Sequence, residues 1–163
     1  MKKLALLAVV GVLAGAPALA QDHAGMPGMD MAPMQGQHMA DAAARGVTLV
    51  VNNRPDHEET GQWNSLDLEA AAREAGMDYV HIPIRAEFSE DKVAALTEAL
   101  LGAEGRVLIF CRSGTRSTYL WALAQAKAGE SPEALARSAN RAGYSLGPLM
   151  PFLKPREGEA ASS

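Results

Sequence analysis

The sequence predicts an α/β fold, a parallel sheet covered by helices on both faces. Two observations predict it. Short apolar runs at Val47–Val51, Tyr79–Ile84 and Arg106–Phe110 alternate with longer segments that carry helix start and stop residues. Val47–Val51 is apolar or β-branched at every position, without alternation, as in a strand buried on both faces.

The elements follow in order. Ala42–Gly46 reads as the last turns of a helix stopped by glycine. Val47–Val51 is the first strand. Ser65 is placed to cap a helix running through Leu66–Arg73, stopped by Gly76. Tyr79–Ile84 is the second strand. Ser89 caps the next helix, with Glu90 and Asp91 in its first turn and Gly102 after its last. Arg106–Phe110 is the third strand. Ser131-Pro132 opens a further helix that Gly143 ends. Ligands of such sheets bind beyond the carboxyl ends of the strands, and Cys111 stands at one of those ends.

Composition divides the 163 residues unevenly. Lys2-Lys3, the apolar stretch Leu4–Ala16 and Ala18-Leu19-Ala20 have the pattern of an export signal over residues 1–20. A periplasmic product beginning at Gln21 is expected, with no stable membrane insertion once the signal is removed. Gln21–Met39 is rich in Gly and Pro and reads as a flexible tail. Its His23, Met26, Met29, Met31, Met34, His38 and Met39 are candidate ligands for Cu(I), or decorate a plain spacer. Residues 40–154 form one domain, and 155–163 a disordered end. The net charge of -4 argues against nucleic-acid binding.

Cys111 is the only cysteine. It opens Cys111-Arg112-Ser113-Gly114-Thr115-Arg116-Ser117 between a strand and a helix, an arrangement in which backbone N–H groups and the helix dipole cradle an anion. A thiol there, between two arginines, ionises readily and attacks as thiolate. Arg112, Ser113, Gly114, Thr115 and Ser117 are the candidate anion-binding loop, and Cys111 and Arg116 the candidate catalytic pair. Arg116 either steadies the anion or forms a surface salt bridge. Ser117 tunes the sulfur or caps the helix. Arg54, Asp56 and Glu58 follow the first strand at the same end of the sheet, and either line the pocket or hold the Arg-Pro turn.

These residues carry a family resemblance. Cys111–Ser117 followed by Leu120–Leu123, Val51–Asp56 with Glu58-Glu59, and Tyr79–Pro83 resemble the beta-lactamase hydrolase-like, phosphatase-like domain, over roughly Ala40 to Gly147. The resemblance implies the fold of dual-specificity protein tyrosine phosphatases and a sulfur-transfer activity.

Two features bear on the reaction. Tyrosine-phosphatase-like enzymes place five residues between nucleophile and Arg; here four separate Cys111 from Arg116, as in rhodanese loops that cradle a persulfide. The place where related phosphatases carry an acidic Asp reads Arg85-Ala86-Glu87-Phe88, leaving Glu87 or Asp56 as substitutes. The expectation is a sulfurtransferase that forms a Cys111 persulfide from a small sulfur-containing anion or a thiol persulfide. It requires no cofactor, and no metal ligands are read in the domain. Phosphatase action on the same loop, or a non-catalytic copper-binding protein, are the alternatives.

Overall fold

The structure is a computed structural model that describes residues 8–9 and 32–153. The expected export signal (all but residues 8–9), the tail residues His23, Met26, Met29 and Met31, and the expected disordered end at 155–163 lie outside the described residues.

The elements are β1 (Ala8–Val9), α1 (Ala32–Ala44), β2 (Val47–Asn52), α2 (Ser65–Glu74), β3 (Asp78–His81), α3 (Glu90–Gly102), β4 (Arg106–Phe110), α4 (Thr115–Lys127), α5 (Pro132–Arg141) and a 3-10 turn at Gly147–Phe152. The strands form one sheet in the order β1-β4-β2-β3, with every pair parallel. The expected class is therefore observed. Two residues of the segment read as an export signal, Ala8 and Val9, pair at its edge with Val107 and Leu108.

The continuous apolar strands feed two cores. Val50 and Leu108 face Met39, Ala42, Leu68 and Ala72 of α1 and α2. Leu49, Val51, Val107 and Ile109 face Val93, Leu96, Leu120, Ala124, Leu135 and Leu149 on the other side. Each Val, Leu, Ile or Met side chain among them contributes about 1.5–3 kcal/mol by leaving water.

Four boundaries differ from expectation. Helix α1 reaches back to Ala32, through the segment read as flexible, and Met39 is 2% exposed in the core. Pro33 sits in its first turn, where proline costs nothing, and packing of Met39 and Ala42 on β2 outweighs the poor propensity of Gly36. The cap of α2 is Asn64, whose side chain accepts from Asp67 N at 2.9 Å; Ser65 is the first helical residue. The strand read to Ile84 ends at His81, because Pro83 has no N–H for the ladder, although Ile82 and Ile84 still donate to Asn52 O and Asn53 O at 2.9 and 3.0 Å. Finally, Gly102 is the last residue of α3 and does not follow it.

Candidate active site

β4 delivers Cys111 to the carboxyl edge of the sheet, and the chain turns at once into α4. Gly114 makes the turn. It caps α4 with φ +87°, the left-handed region that disfavours a Cβ. Its carbonyl accepts from Thr118 N and Thr118 Oγ1, both at 2.9 Å, and its own N–H donates to Cys111 Sγ at 3.2 Å. Cys111 is 9% exposed. Burial pushes its thiol up, but hydrogen bonding from the Ser117 N–H and hydroxyl and from the Gly114 and Ser113 N–H groups more than offsets this. The net effect holds the thiol below its ordinary value, so the thiolate is present nearer neutral pH.

The Ser117 hydroxyl has one proton to give. Here it donates to Asn53 Oδ1 at 2.9 Å, while Asn53 Nδ2 donates to Ile82 O at 2.9 Å. Its contribution to the sulfur therefore requires that proton to turn from Asn53 toward the thiolate. Both side chains are fully buried.

The arginines are held from the segment after β2. Glu58 bridges two of them. One oxygen accepts from Arg116 Nη2 at 2.7 Å and the other from Arg54 Nε at 2.8 Å. Burial raises the Glu58 carboxyl, and the hydrogen bonds and charges of Arg54 and Arg116 bring it below the usual carboxylate value. Arg116 Nη1 donates to Ile84 O at 2.6 Å. Arg116 is thus fixed by Glu58 and Ile84, with donors of its five-donor fork left for an anion. Glu59 pairs with Arg54 Nη2 and, at 3.2 Å, with Arg112 Nη2. Arg112 is otherwise exposed, and the Ser113 and Thr115 hydroxyls lie 3.4 Å apart on the rim.

Of the expected pocket residues, the structure brings Glu58 and Arg54 into the network but not Asp56. Asp56 accepts from Ser65 N and Ser65 Oγ, each at 2.7 Å. The reading of Asp56 as a pocket residue or substitute acid is corrected accordingly, because both its oxygens are engaged at the start of α2. Glu87 is exposed. His57 is exposed at φ +60°, and His81 Nε2 lies 2.9 Å from Arg54 O. Trp121 lies in the core, and Trp63 packs against the α1–α2 cluster. Among the described residues no group of three His, Cys, Asp or Glu side chains is placed to hold a metal ion, and no helix is long and apolar enough to cross a membrane.

Two site residues were not singled out from the sequence, Asn53, quoted only within Val51–Asp56, and Tyr144. Asn53 was legible in principle, as an amide closing an apolar strand. Tyr144, whose hydroxyl donates to Ser113 O at 3.3 Å, gave no local signal. An open groove of about 550 Å³ lies at the opposite, amino-terminal end of the sheet, bordered by Thr48, Arg73, Asp78 and Glu104, away from Cys111.

Comparison with known proteins places this geometry. The family model described as beta-lactamase hydrolase-like protein, phosphatase-like domain, matches residues 13–128, which include the whole Cys111 loop. The chain is 36% identical over 114 residues to the beta-lactamase hydrolase-like protein of Xylella fastidiosa (strain Temecula1), covering 69% of this chain and 26% of that protein. It is 38% identical over 88 residues to the protein of the same name from Agrobacterium fabrum (strain C58), covering 53% and 20%. The chain thus spans about a quarter or less of these relatives. A crystal structure from Neisseria meningitidis Z2491, named a "putative phosphatase", superposes with TM-score 0.62 at 27% identity, covering 78% of this chain and 88% of that one. One of the same name from Shewanella putrefaciens CN-32 gives 0.57 at 25%, covering 72% and 73%. Tk-PTP in its active form shares the fold, with TM-score 0.53 at 21% identity over 78% of this chain and 84% of that one.

Proposed function

The chain belongs to the beta-lactamase hydrolase-like, phosphatase-like domain family, and from that premise we propose that it is a thiolate phosphatase acting on phosphate monoesters with good leaving groups. The observation that carries the proposal is the buried Cys111 sulfur at the start of α4, with the Gly114 N–H at 3.2 Å and Arg116 held beside the loop. The thiolate attacks phosphorus, forming an S–P bond while the ester P–O bond breaks. The loop N–H groups and Arg116 balance the charge of the equatorial oxygens. Water then attacks phosphorus, the S–P bond breaks, and thiolate and inorganic phosphate are released. Asp56 is tied to Ser65, Glu58 to two arginines, and Glu87 is exposed, so the leaving oxygen takes its proton from solvent. Phenolic esters are therefore favoured over alkyl esters, whose leaving groups need a positioned acid.

A second reading is sulfur transfer. The four-residue spacing between Cys111 and Arg116 and the committed carboxylates favour it. The thiolate would attack the outer sulfur of thiosulfate, the S–S bond would break, sulfite would leave, and the Cys111 persulfide would pass its outer sulfur to cyanide or a thiolate. One experiment separates the two. Phenyl phosphate and, separately, thiosulfate alone are offered to the chain and to Cys111→Ser, with intact mass read after each and thiocyanate read once cyanide is added to the thiosulfate-treated protein. Phosphate release that vanishes in the variant is expected. Absence of phosphate release, together with one sulfur gained on Cys111, overturns the phosphatase reading in favour of the second.

Export, and capture of Cu(I) by the Met- and His-bearing segment, are carried forward as proposals. Met39 is removed from the ligand set by its burial, and His38 is half-buried. Chelator competition with Cu(I), comparing the chain with a variant in which Met26, Met29, Met31 and Met34 are all replaced by Leu, tests the copper proposal; equal affinity overturns it.

A further inference from the structure

We propose that Tyr144 is a positioning residue of the Cys111 loop, fixing the Ser113–Gly114 peptide so that its N–H is aimed at the sulfur. The argument begins with one planar unit. In a trans peptide the C=O and N–H point in opposite directions, and the described chain holds no cis bond. The carbonyl of this unit, Ser113 O, accepts from Tyr144 Oη at 3.3 Å. The N–H of the same unit, on Gly114, donates to Cys111 Sγ at 3.2 Å. Both ends of one peptide are thus engaged, the outer by Tyr144 and the inner by the nucleophile.

Such a pin matters here more than elsewhere. Gly114 has no side chain to resist rotation of that peptide, and its left-handed φ is one of several basins open to glycine. The Ser113 side chain is exposed, and its hydroxyl makes a 3.4 Å contact with that of Thr115. Tyr144 comes from the segment between α5 and the 3-10 turn, and its ring packs on the larger core, so its hydroxyl is presented from a fixed base. The bond is long, and its direct worth is small. Its leverage comes from direction: a hydrogen bond accepted at the carbonyl polarises the unit and strengthens donation by its N–H. Burial, then the Cys111 charge, push the Tyr144 phenol above its ordinary value, so it is still a protonated donor over the pH range in which the thiolate first forms.

The inference rests on the thiolate being the working form, which both proposed reactions share. Its test therefore reads ionisation directly. Tyr144→Phe keeps the ring and its packing and removes only the hydroxyl. The thiolate's ultraviolet absorbance and the rate of alkylation by iodoacetamide are followed against pH in the full chain. The expected result is an upward shift of the Cys111 midpoint and about a threefold slower alkylation below it, since a weakened donor favours the neutral thiol. Where phosphatase turnover is present, the acid limb of its kcat/KM profile moves by the same amount. Curves that superpose on those of the parent overturn the proposal. A shifted titration in a chain inactive toward phenyl phosphate upholds it and counts against the phosphatase reading alone. Tyr144→Leu, which removes the ring as well, is expected to shift the midpoint no further than Phe does; a shift confined to Leu would make Tyr144 a packing residue only.

Discussion

β2 and β4 lie side by side and run the same way, yet the chain leaves them in opposite manners. After β4 it turns in four residues, Cys111 to Gly114, and enters a helix. After β2 it wanders from Asn53 to Asn64 before α2 begins. The first exit supplies chemistry from its own backbone: a sulfur and the N–H groups that stabilise its charge. The second supplies control from side chains. Glu58 and Glu59 hold Arg116, Arg54 and Arg112, Asn53 receives the Ser117 proton, and Asp56 anchors α2. A nucleophile can thus be built from neighbours in sequence, whereas its electrostatic surroundings come from a loop more than fifty residues away.

That contrast can be broken most severely at the first exit. Cys111→Ser is expected to abolish all turnover while leaving the circular dichroism and melting curve of the parent; retained turnover would remove the thiolate from the mechanism. Gly114→Ala forces a Cβ into the left-handed region at a cost of about 1–2 kcal/mol. It should lower the melting temperature and raise the Cys111 midpoint together, as seen by thermal melting and thiol titration. In the parent, alkylation should climb with pH and level off below the range of an ordinary thiol, because the folded pKa is lowered.

Effects at the second exit should be smaller and of a different kind. Glu58→Gln releases Arg116 and Arg54 from a shared, part-buried carboxylate. Stability should fall by roughly 1–2 kcal/mol, and kcat/KM should fall roughly tenfold, the equivalent of about 1.4 kcal/mol of transition-state stabilisation. A stability loss with unchanged kcat/KM would mean that Glu58 is structural only. Asp56→Asn should weaken the start of α2 by about 1 kcal/mol at neutral pH and leave kcat/KM unchanged. The hydrogen bonds from Ser65, opposed by burial, lower the folded-state pKa of Asp56. Its stabilisation is therefore present above the ordinary carboxylate value of 3.8 and is lost as pH falls through the lower folded value. Acid unfolding should approach that of the variant below this window.

The same contrast explains what was legible in the sequence. The strands and the Cys111 loop are local patterns: Val47–Val51 and Arg106–Phe110 lie within the observed strands, and Gly114 turns where a glycine stands before a helical run. The Arg116–Glu58 pair and the Tyr144–Ser113 bond were not legible, because the partners meet only after the sheet has brought separate segments together. The same holds for Asp56. Its short side chain could have served the pocket or the helix, and only the placement of Ser65 decides. The last turn of helix α1 was legible before Gly46, but its earlier turns were hidden by their Gly and Pro content, and Met39 fixes them through packing that no local propensity records.

The parallel topology has a consequence for how the protein acquires its reactivity. Among the described residues no strand pairs through a hairpin; each partnership spans an intervening helix, and β4 meets β2 across more than fifty residues, Val47 opposite Arg106 and Asn52 opposite Phe110. Loop closure must be paid for before such pairings return anything, so sheets of this kind assemble late and slowly. The Asn53 N–H donates to Phe110 O at 2.8 Å just beyond the last pair, and Ser117 closes on Asn53 from there. The groups that lower the Cys111 thiol belong to its own turn, but Arg116 is fixed by Glu58 and Ser117 by Asn53 only once β2 and β4 have come together. A partly folded chain therefore carries the sulfur without the held arginine, and the site is complete only in molecules already committed to the native state.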